Sequence, residues 1–370
     1  MNDGRTLVLS VFATFAVGGP QVRFAALANH YGRAWRHAII AMDGRLDCAE
    51  RLSPELEVSF PRVPNNRGAL LGNVGAFQRF LEDFAPDVLL THNWGSIEWA
   101  MARHGVRRLR HVHVEDGFGP EEAERQLRRR VLTRRLVLRE STVVLPSLTL
   151  LRLAARTWRL PRPRLLHIPN GLDLEHFRPA AAPRRAGPPR VGTVAALRTE
   201  KNLGRLLGAA RRLLDRGFAF QLVIVGDGPE RARLQALAAQ LGIAAAAEFT
   251  GAVQDPAEAY RSLDAFALSS DTEQMPYSVL EAMATGLPVA ATGVGDVRHM
   301  LATENQPFVC DFDETALAEA LGRLLGDATL RRKLGVANRR KAEATYGDLT
   351  MFRRYAQLLA PERAANGADK

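Results

Sequence analysis

The chain has 370 residues, 46% of them apolar and 24% charged, with a formal net charge of +10. That is the composition of a folded protein long enough for two domains, and it excludes a disordered or fibrous chain. Two cysteines, Cys48 and Cys310, stand far apart and exclude a disulfide framework or a cysteine-based zinc site, while 7% aromatics without zinc-finger spacing or an aromatic RNA-binding motif argue against nucleic acid.

The first run, "TLVLSVFAT" (6–14), reads as a buried strand leading into a glycine turn. It is too short to span a bilayer and lacks the basic flank and cleavage site of a signal peptide, so a cytoplasmic location is expected. Further strands are predicted at "AIIAM" (38–42), "DVLLTHN" (87–93), "RHVHVE" (110–115), "TVVLPS" (142–147) and "LLHIPN" (165–170). The pattern restarts with "PRVGTVAAL" (189–197), "FQLVIVGD" (220–227), "AEFTGAV" (247–253), "AFALSS" (265–270) and "PVAAT" (288–292). Short β-branched runs alternating with helical patterns predict parallel sheets covered on both faces.

The expected fold class is therefore α/β, with two Rossmann-like doubly wound parallel-sheet domains facing across a cleft. The first spans 1–178, a Pro-rich linker covers 179–190 and the second spans 191–345. A helix over 346–360 crosses back to the first domain, and 361–370 is a polar tail. Residues 1–178 carry 26 Arg against 18 acids, +8, and the remainder only +2. A GC-rich genome accounts for the Arg excess, since only four of the 50 basic residues are Lys. A functional reading is an anionic partner for the first half.

Several stretches carry candidate chemistry. In "VGGPQVRFAALA" (17–28), Gly18 and Gly19 would let a phosphate approach a helix N-terminus, or simply make a tight turn. In "RHVHVEDGFGPEEAERQ" (110–126), His111, His113 and Glu115 alternate onto one face of a strand, which allows a metal site on paper, and Asp116-Gly117 reads as a turn. "ERQLRRRVLTRRLVLRE" (124–140) sets seven Arg among Leu and Val at helical spacing, a solvated basic face or a helix lying on anionic lipid. "VGTVAALRTEKNLGRLL" (191–207) places Arg198 and Lys201 at a strand–helix turn. In "LVIVGDGPERARLQALA" (222–238), Gly226 and Gly228 are followed by Arg231 where a dinucleotide fingerprint needs its third glycine, so that fingerprint fails. Finally, "SSDTEQMPYSVLEAMATGLPVAATGVGD" (269–296) holds Glu273 and Glu281; Ser278-x-x-Glu281 alone fits a capping box that merely closes a helix start.

Ser270-x-x-Glu273, seven residues, then Glu281-Ala-Met-Ala-x-Gly-x-Pro-Val resembles the signature of retaining glycosyltransferases of the GT-B fold, family 4 (group 1). The turn around Gly226 and Gly228, the loop "FTGAVQD" (249–255) and the hinge "PNGLDLEHF" (169–177) are similar to the family in the same order. The resemblance implies transfer of a sugar from a UDP- or GDP-sugar to an acceptor hydroxyl with retention of configuration, without a metal or other cofactor. It implies catalytic roles for Lys201, Arg198, Glu273 and His113, and nucleotide contacts from Glu281, Gly226, Gly228, Gly251 and Val253. Gly18, Gly19, Gln274, Met275 and Tyr277 would surround the donor sugar and phosphates, and Glu115 and Asp116 would face the acceptor.

The acceptor implied is a glycan or lipid-linked molecule of the cell envelope or an exopolysaccharide, with peripheral contact to the inner membrane face through 124–140. The sequence departs from the family in two places. The family's Arg five residues before the Lys is Ala196 here, and the acidic loop reads Glu273-Gln274-Met275-Pro276, where Pro276 has no N–H to give. Two other readings stand beside this one: a sugar-nucleotide epimerase or hydrolase, and a silent subunit that only binds nucleotide or membrane.

Overall fold

A computed structural model describes residues 4–360 apart from 67, 108, 119, 123–124 and 182–186. The middle of the expected linker and the polar tail 361–370 therefore lie outside the described residues, as does Glu124. The chain divides into two units, one running to Pro169 and resuming at Leu349, the other spanning Asn170–Asp348.

The first unit holds β1 (Thr6–Phe12), β2 (Trp35–Ala41), β3 (Val58–Ser59), β4 (Val88–His92), β5 (Arg110–Val114), β6 (Thr142–Leu145) and β7 (Leu165–His167). They form one sheet in the order β3-β2-β1-β4-β5-β6-β7, every neighbouring pair parallel. The period-2 alternation of β1 feeds two cores. Val8 and Phe12 pack with Phe24 and with Tyr355 of the helix Asp348–Leu359, while Leu9 and Val11 pack with Phe77, Leu81 and Trp99 on the other face.

The second unit holds β8 (Arg190–Val194), β9 (Gln221–Val225), β10 (Ala247–Gly251), β11 (Ala265–Leu268), β12 (Val289–Thr292) and β13 (Val309–Cys310), in the order β10-β9-β8-β11-β12-β13. All pairs are again parallel. Val223 and Val225 face one core, Leu222 and Ile224 the other. In both sheets the strand order reverses once, between β1 and β4 and between β8 and β11. Loops leaving the carboxyl ends of those strands diverge and leave a crevice.

Each of the eleven predicted strands is present. The two that the reading missed, β3 and β13, are two-residue edge strands with no apolar run to announce them. The domain edge also differs: residues 170–178 belong to the second unit rather than the first. The Arg339 guanidinium donates to the carbonyls of Leu174, Phe177 and Ala284, and Leu172 donates to Tyr346, so this stretch is fastened to the second sheet's helices. No helix among the described residues is long and apolar enough to cross a membrane.

Candidate active site

β8 ends at Val194, and the chain runs on extended to Arg198 before one 3₁₀ turn, Thr199–Lys201. Asn202 follows at φ +40, a left-handed conformation that Asn tolerates better than most residues. Its side chain accepts the Arg205 N–H at 3.3 Å and so opens the helix Leu203–Asp215. This geometry aims Lys201 across the crevice at the loop that leaves β11. There Lys201 Nζ lies 2.5 Å from Glu273 Oε1, which also accepts the Ser270 hydroxyl at 3.1 Å.

The two strand ends are tied together around this pair. The Ser269 hydroxyl donates to the Lys201 carbonyl at 3.0 Å, and Asp271 N–H to the Glu200 carbonyl at 2.9 Å. Arg205 donates to the Ser269 carbonyl and pairs with Asp271 at 2.7 Å. The lysine and glutamate side chains are 25% and 13% exposed, so their attraction is screened less than on an open surface, yet an incoming anion can still reach the ammonium. Arg198 is not part of the cluster: it is 64% exposed and its ion-pair partner is Glu200, at 4.0 Å.

Gly226 follows β9 at φ +133, and a Cβ there would lie 1.9 Å from the Ala195 carbonyl oxygen. Gly228 is as tight, with the Leu197 carbonyl oxygen 2.5 Å from a Cβ position. The two glycines let the loop after β9 close on the loop after β8, an approach no side chain permits. Gly226 N–H donates to the Gly251 carbonyl at 2.8 Å, which brings the 251–253 loop alongside, with Val253 exposed.

The helix Tyr277–Ala284 starts directly after Pro276. Ser278 lies inside its first turn, so the capping-box reading fails. Glu281 instead accepts the Tyr260 hydroxyl at 2.6 Å. Burial pushes the Glu281 carboxyl up to about 7, with the Tyr260 hydrogen bond pulling the other way, and burial drives Tyr260 well above its usual range. Gln274 accepts Asp296 N–H at 2.9 Å through its carbonyl, Met275 is buried, and Tyr277 opens the helix.

In the first unit, Gly18 and Gly19 stand where β1 turns into the helix Gly19–Tyr31, and Gln21 Nε2 donates to the Thr14 carbonyl at 2.9 Å. Arg23 of that helix makes two bonds to Asp116, at 2.6 and 2.9 Å. His111, His113 and Glu115 do share one face, but it is the covered one. His113 Nδ1 is bonded to Thr91 Oγ1 at 2.8 Å, and His111 bridges Thr91 and Ser141. Glu115 is 0% exposed and receives Arg134 Nε at 3.2 Å. The strand thus turns His113 and Glu115 into the sheet's own packing, where His113 Nε2 and Glu115 Oε1 are buried with no hydrogen-bond partner among the described residues.

The basic helix is corrected in part. Arg134 is buried against Glu115 and Glu122, with its guanidinium 5.0 Å from each of the Trp94 and Trp158 rings. Arg130 pairs with Glu121 and Glu122 and lies over Trp94. The other face, with Arg128, Arg129, Leu132, Arg135 and Leu136, is exposed.

Sequence reasoning passed over His92 and Asn93 at the end of β4. His92 is stacked 3.9 Å over Phe12, and burial holds it well below the usual histidine range. Asn93, at φ +56, accepts the Asp116 N–H at 2.7 Å. The sequence signal is only that "THN" closes a strand; that the sheet order reverses there comes from the structure.

Residues 177–341 match the family described as glycosyl transferases group 1, and residues 18–171 match the glycosyl transferase 4-like domain. The chain belongs to the group 1, family 4-like glycosyltransferases. Its fold class is GT-B, two parallel-sheet α/β domains. Among its relatives is a GDP-mannose-dependent alpha-mannosyltransferase of Mycolicibacterium smegmatis, 36% identical over 193 residues, which are 49% of this chain and 48% of the relative. A D-inositol 3-phosphate glycosyltransferase of Nocardia farcinica is 28% identical over 281 residues, 68% of this chain and 61% of that one. The matches thus span about half to three-fifths of these relatives' length.

Among solved structures, a sucrose-phosphate synthase from Thermosynechococcus elongatus superposes with a TM-score of 0.80 at 20% identity, covering 96% of this chain and 98% of that one. A glycosyltransferase from Rickettsia africae superposes at 0.78 with 16% identity, covering 96% and 98%. At such identities the likeness concerns the fold.

Proposed function

We propose that this glycosyltransferase-family chain is a retaining sugar transferase that uses a UDP- or GDP-sugar and delivers the sugar to an acceptor hydroxyl. One observation carries the reading: Lys201 and Glu273 meet at 2.5 Å where the second sheet reverses its strand order, with Glu281 on the next helix. The relatives' names agree with the reading in reaction type, and the GDP-mannose-dependent mannosyltransferase also in donor class.

In this reading the donor diphosphate takes the Lys201 ammonium from Glu273. The freed carboxylate then accepts hydrogen bonds from the sugar hydroxyls, and Glu281 accepts from the ribose. The bond from the anomeric carbon to the diphosphate oxygen breaks as the bond to the acceptor oxygen forms on the same face. The acceptor proton passes to the leaving diphosphate. Lys201 stabilises the negative charge that grows there, so no protein nucleophile and no bound metal is called for.

The acceptor reading is a glycan or lipid-linked molecule of the cell envelope, met by the first unit. With Glu115 turned inward, Asp116 and its partner Arg23 form a charged pair at that sheet's carboxyl end. The exposed stripe of Arg128, Arg129, Arg135, Leu132 and Leu136 supports peripheral contact with an anionic membrane, because the two leucines are 55% and 63% exposed between cations.

The test is binding and turnover on the purified chain. Melting curves with UDP, GDP and ADP select the base, since a nucleotide that binds only the folded state raises the melting temperature. NMR of the product with the matching sugar nucleotide then reads the anomer. Free sugar without an acceptor product points to a hydrolase, an altered sugar still on the nucleotide to an epimerase, and no binding to a silent subunit.

A further inference from the structure

Asn170, the first residue of the second unit, is 5% exposed. Its side-chain amide donates to the Met275 carbonyl at 3.1 Å, and its backbone N–H lies 3.3 Å from Met275 Sδ. Asp296 N–H holds the carbonyl of the preceding residue, Gln274, at 2.9 Å. A Cβ on Gly295, at φ +50, would lie 2.3 Å from the Glu273 carbonyl oxygen and 2.5 Å from that of Gln274. Three consecutive carbonyls of the loop that carries Glu273 are thus bonded to, or pressed against, the unit's own structure.

That arrangement has a directional consequence. A trans peptide points its N–H opposite to its carbonyl, and the described residues contain no cis peptide. Clamping the Gln274 carbonyl on Asp296 therefore turns the Met275 N–H away from Gly295–Asp296. The Met275 carbonyl shares its peptide with Pro276, which has no N–H, so the Asn170 bond aims no amide directly; it fixes the place of the Met275–Pro276 peptide, between the Met275 N–H and the helix that starts at Tyr277. Asn170 itself stands on a fixed base. Leu172 donates to Tyr346, the Arg339 guanidinium holds Leu174 and Phe177, and His176 pairs with Asp255 at 2.8 Å.

We infer that Asn170 is a positioning residue for the donor sugar: by pinning the Met275–Pro276 peptide it fixes where the 273–277 loop stands relative to the sugar, without touching the donor. The inference rests on the donor-site reading above. Asn170→Asp keeps the shape and removes the donor to the carbonyl; Asn170→Ala removes the group. Titration calorimetry with UDP and GDP, and turnover of UDP-glucose and GDP-mannose, would be run on the full chain and both variants.

Expected is a Kd for the free nucleotide within about twofold of the unmodified chain, with kcat/KM for the sugar nucleotide lowered on the order of tenfold, the scale of one buried acceptor left unpaired. Equal losses for nucleotide and sugar nucleotide, or no loss of turnover, overturn the assignment. So does failure of both variants to fold, because a positioning role must be separable from folding. Absence of nucleotide binding by the unmodified chain is a different result and overturns the donor site itself.

Discussion

Glu273 Oε1 holds the Lys201 ammonium at 2.5 Å, so the acid and the cation of the proposed donor site are each other's partner in the free chain. The Ser270 hydroxyl bonds the same oxygen and fixes the glutamate in that pose. The pair keeps the lysine at the end of a parallel sheet aimed, and on the proposed reading a diphosphate must displace a carboxylate to reach it.

Two substitutions at this pair should therefore act in opposite directions on nucleotide binding. Lys201→Ala should lower kcat by about 10²–10³, the usual loss when one preorganised donor to a leaving group is removed. Glu273→Gln should lower turnover too, yet strengthen binding of free UDP or GDP, because the ammonium no longer has a competing anion. Calorimetry on both variants checks the sign, and weaker nucleotide binding in Glu273→Gln sinks the competition argument.

Glu281 titrates at about 7, raised from 4.5 chiefly by burial. On the proposed reading its ionised form is the stronger acceptor for ribose hydroxyls, so nucleotide affinity should rise as pH climbs through 7 and level off above it. Glu281→Gln should remove that dependence. Tyr260→Phe should move the midpoint upward, since the Tyr260 hydrogen bond favours the charged carboxylate. The linked effect on folding has the opposite sense. An acid whose pKa is higher folded than unfolded holds its proton longer in the folded state, so its contribution to stability declines between about pH 4.5 and 7.

Gly226→Ala would set a methyl 1.9 Å from the Ala195 carbonyl at φ +133. The backbone strain alone costs about 1–3 kcal/mol, and the two loops must separate to relieve the clash. We expect a melting temperature lower by several degrees together with weakened nucleotide binding. Gly217→Ala, at φ +81 with open space around its Cβ, is the control for backbone strain without a clash.

The basic helix Arg128–Val137 should show two unlike faces. Arg134→Ala strands the buried Glu115 carboxylate and leaves Glu122 with Arg130 alone, a loss of about 3–5 kcal/mol that a denaturant melt would register. Arg135→Ala, on the exposed side, should change stability by no more than about 0.5 kcal/mol.

The exposed side carries the membrane reading. The chain should sediment with phosphatidylserine-containing vesicles and not with phosphatidylcholine alone, and added salt should weaken the association. Joint replacement of Leu132 and Leu136 by Ser should reduce it while leaving nucleotide binding unchanged. Equal binding to neutral vesicles would overturn the electrostatic part of the reading.

The two sheets were legible in the residue order, because parallel strands buried on both faces appear as continuous apolar runs and helices as a longer period. The Glu273 to Glu281 spacing and the glycines at 226 and 228 are likewise properties of the chain, since turns that admit no Cβ demand glycine wherever they fall. What the order of residues could not decide was which side of a strand faces a ligand. His111, His113 and Glu115 alternate correctly, yet Thr91, Ser141 and Arg134, distant in sequence, make theirs a packed face. Only the tertiary structure decides such matters, because burial and hydrogen-bond partnership depend on what other strands and helices bring across. The same holds for Lys201 meeting Glu273, Tyr260 meeting Glu281 and Asn170 meeting Met275: each pair joins residues 21 or more positions apart, and the sheet's strand order brings them together.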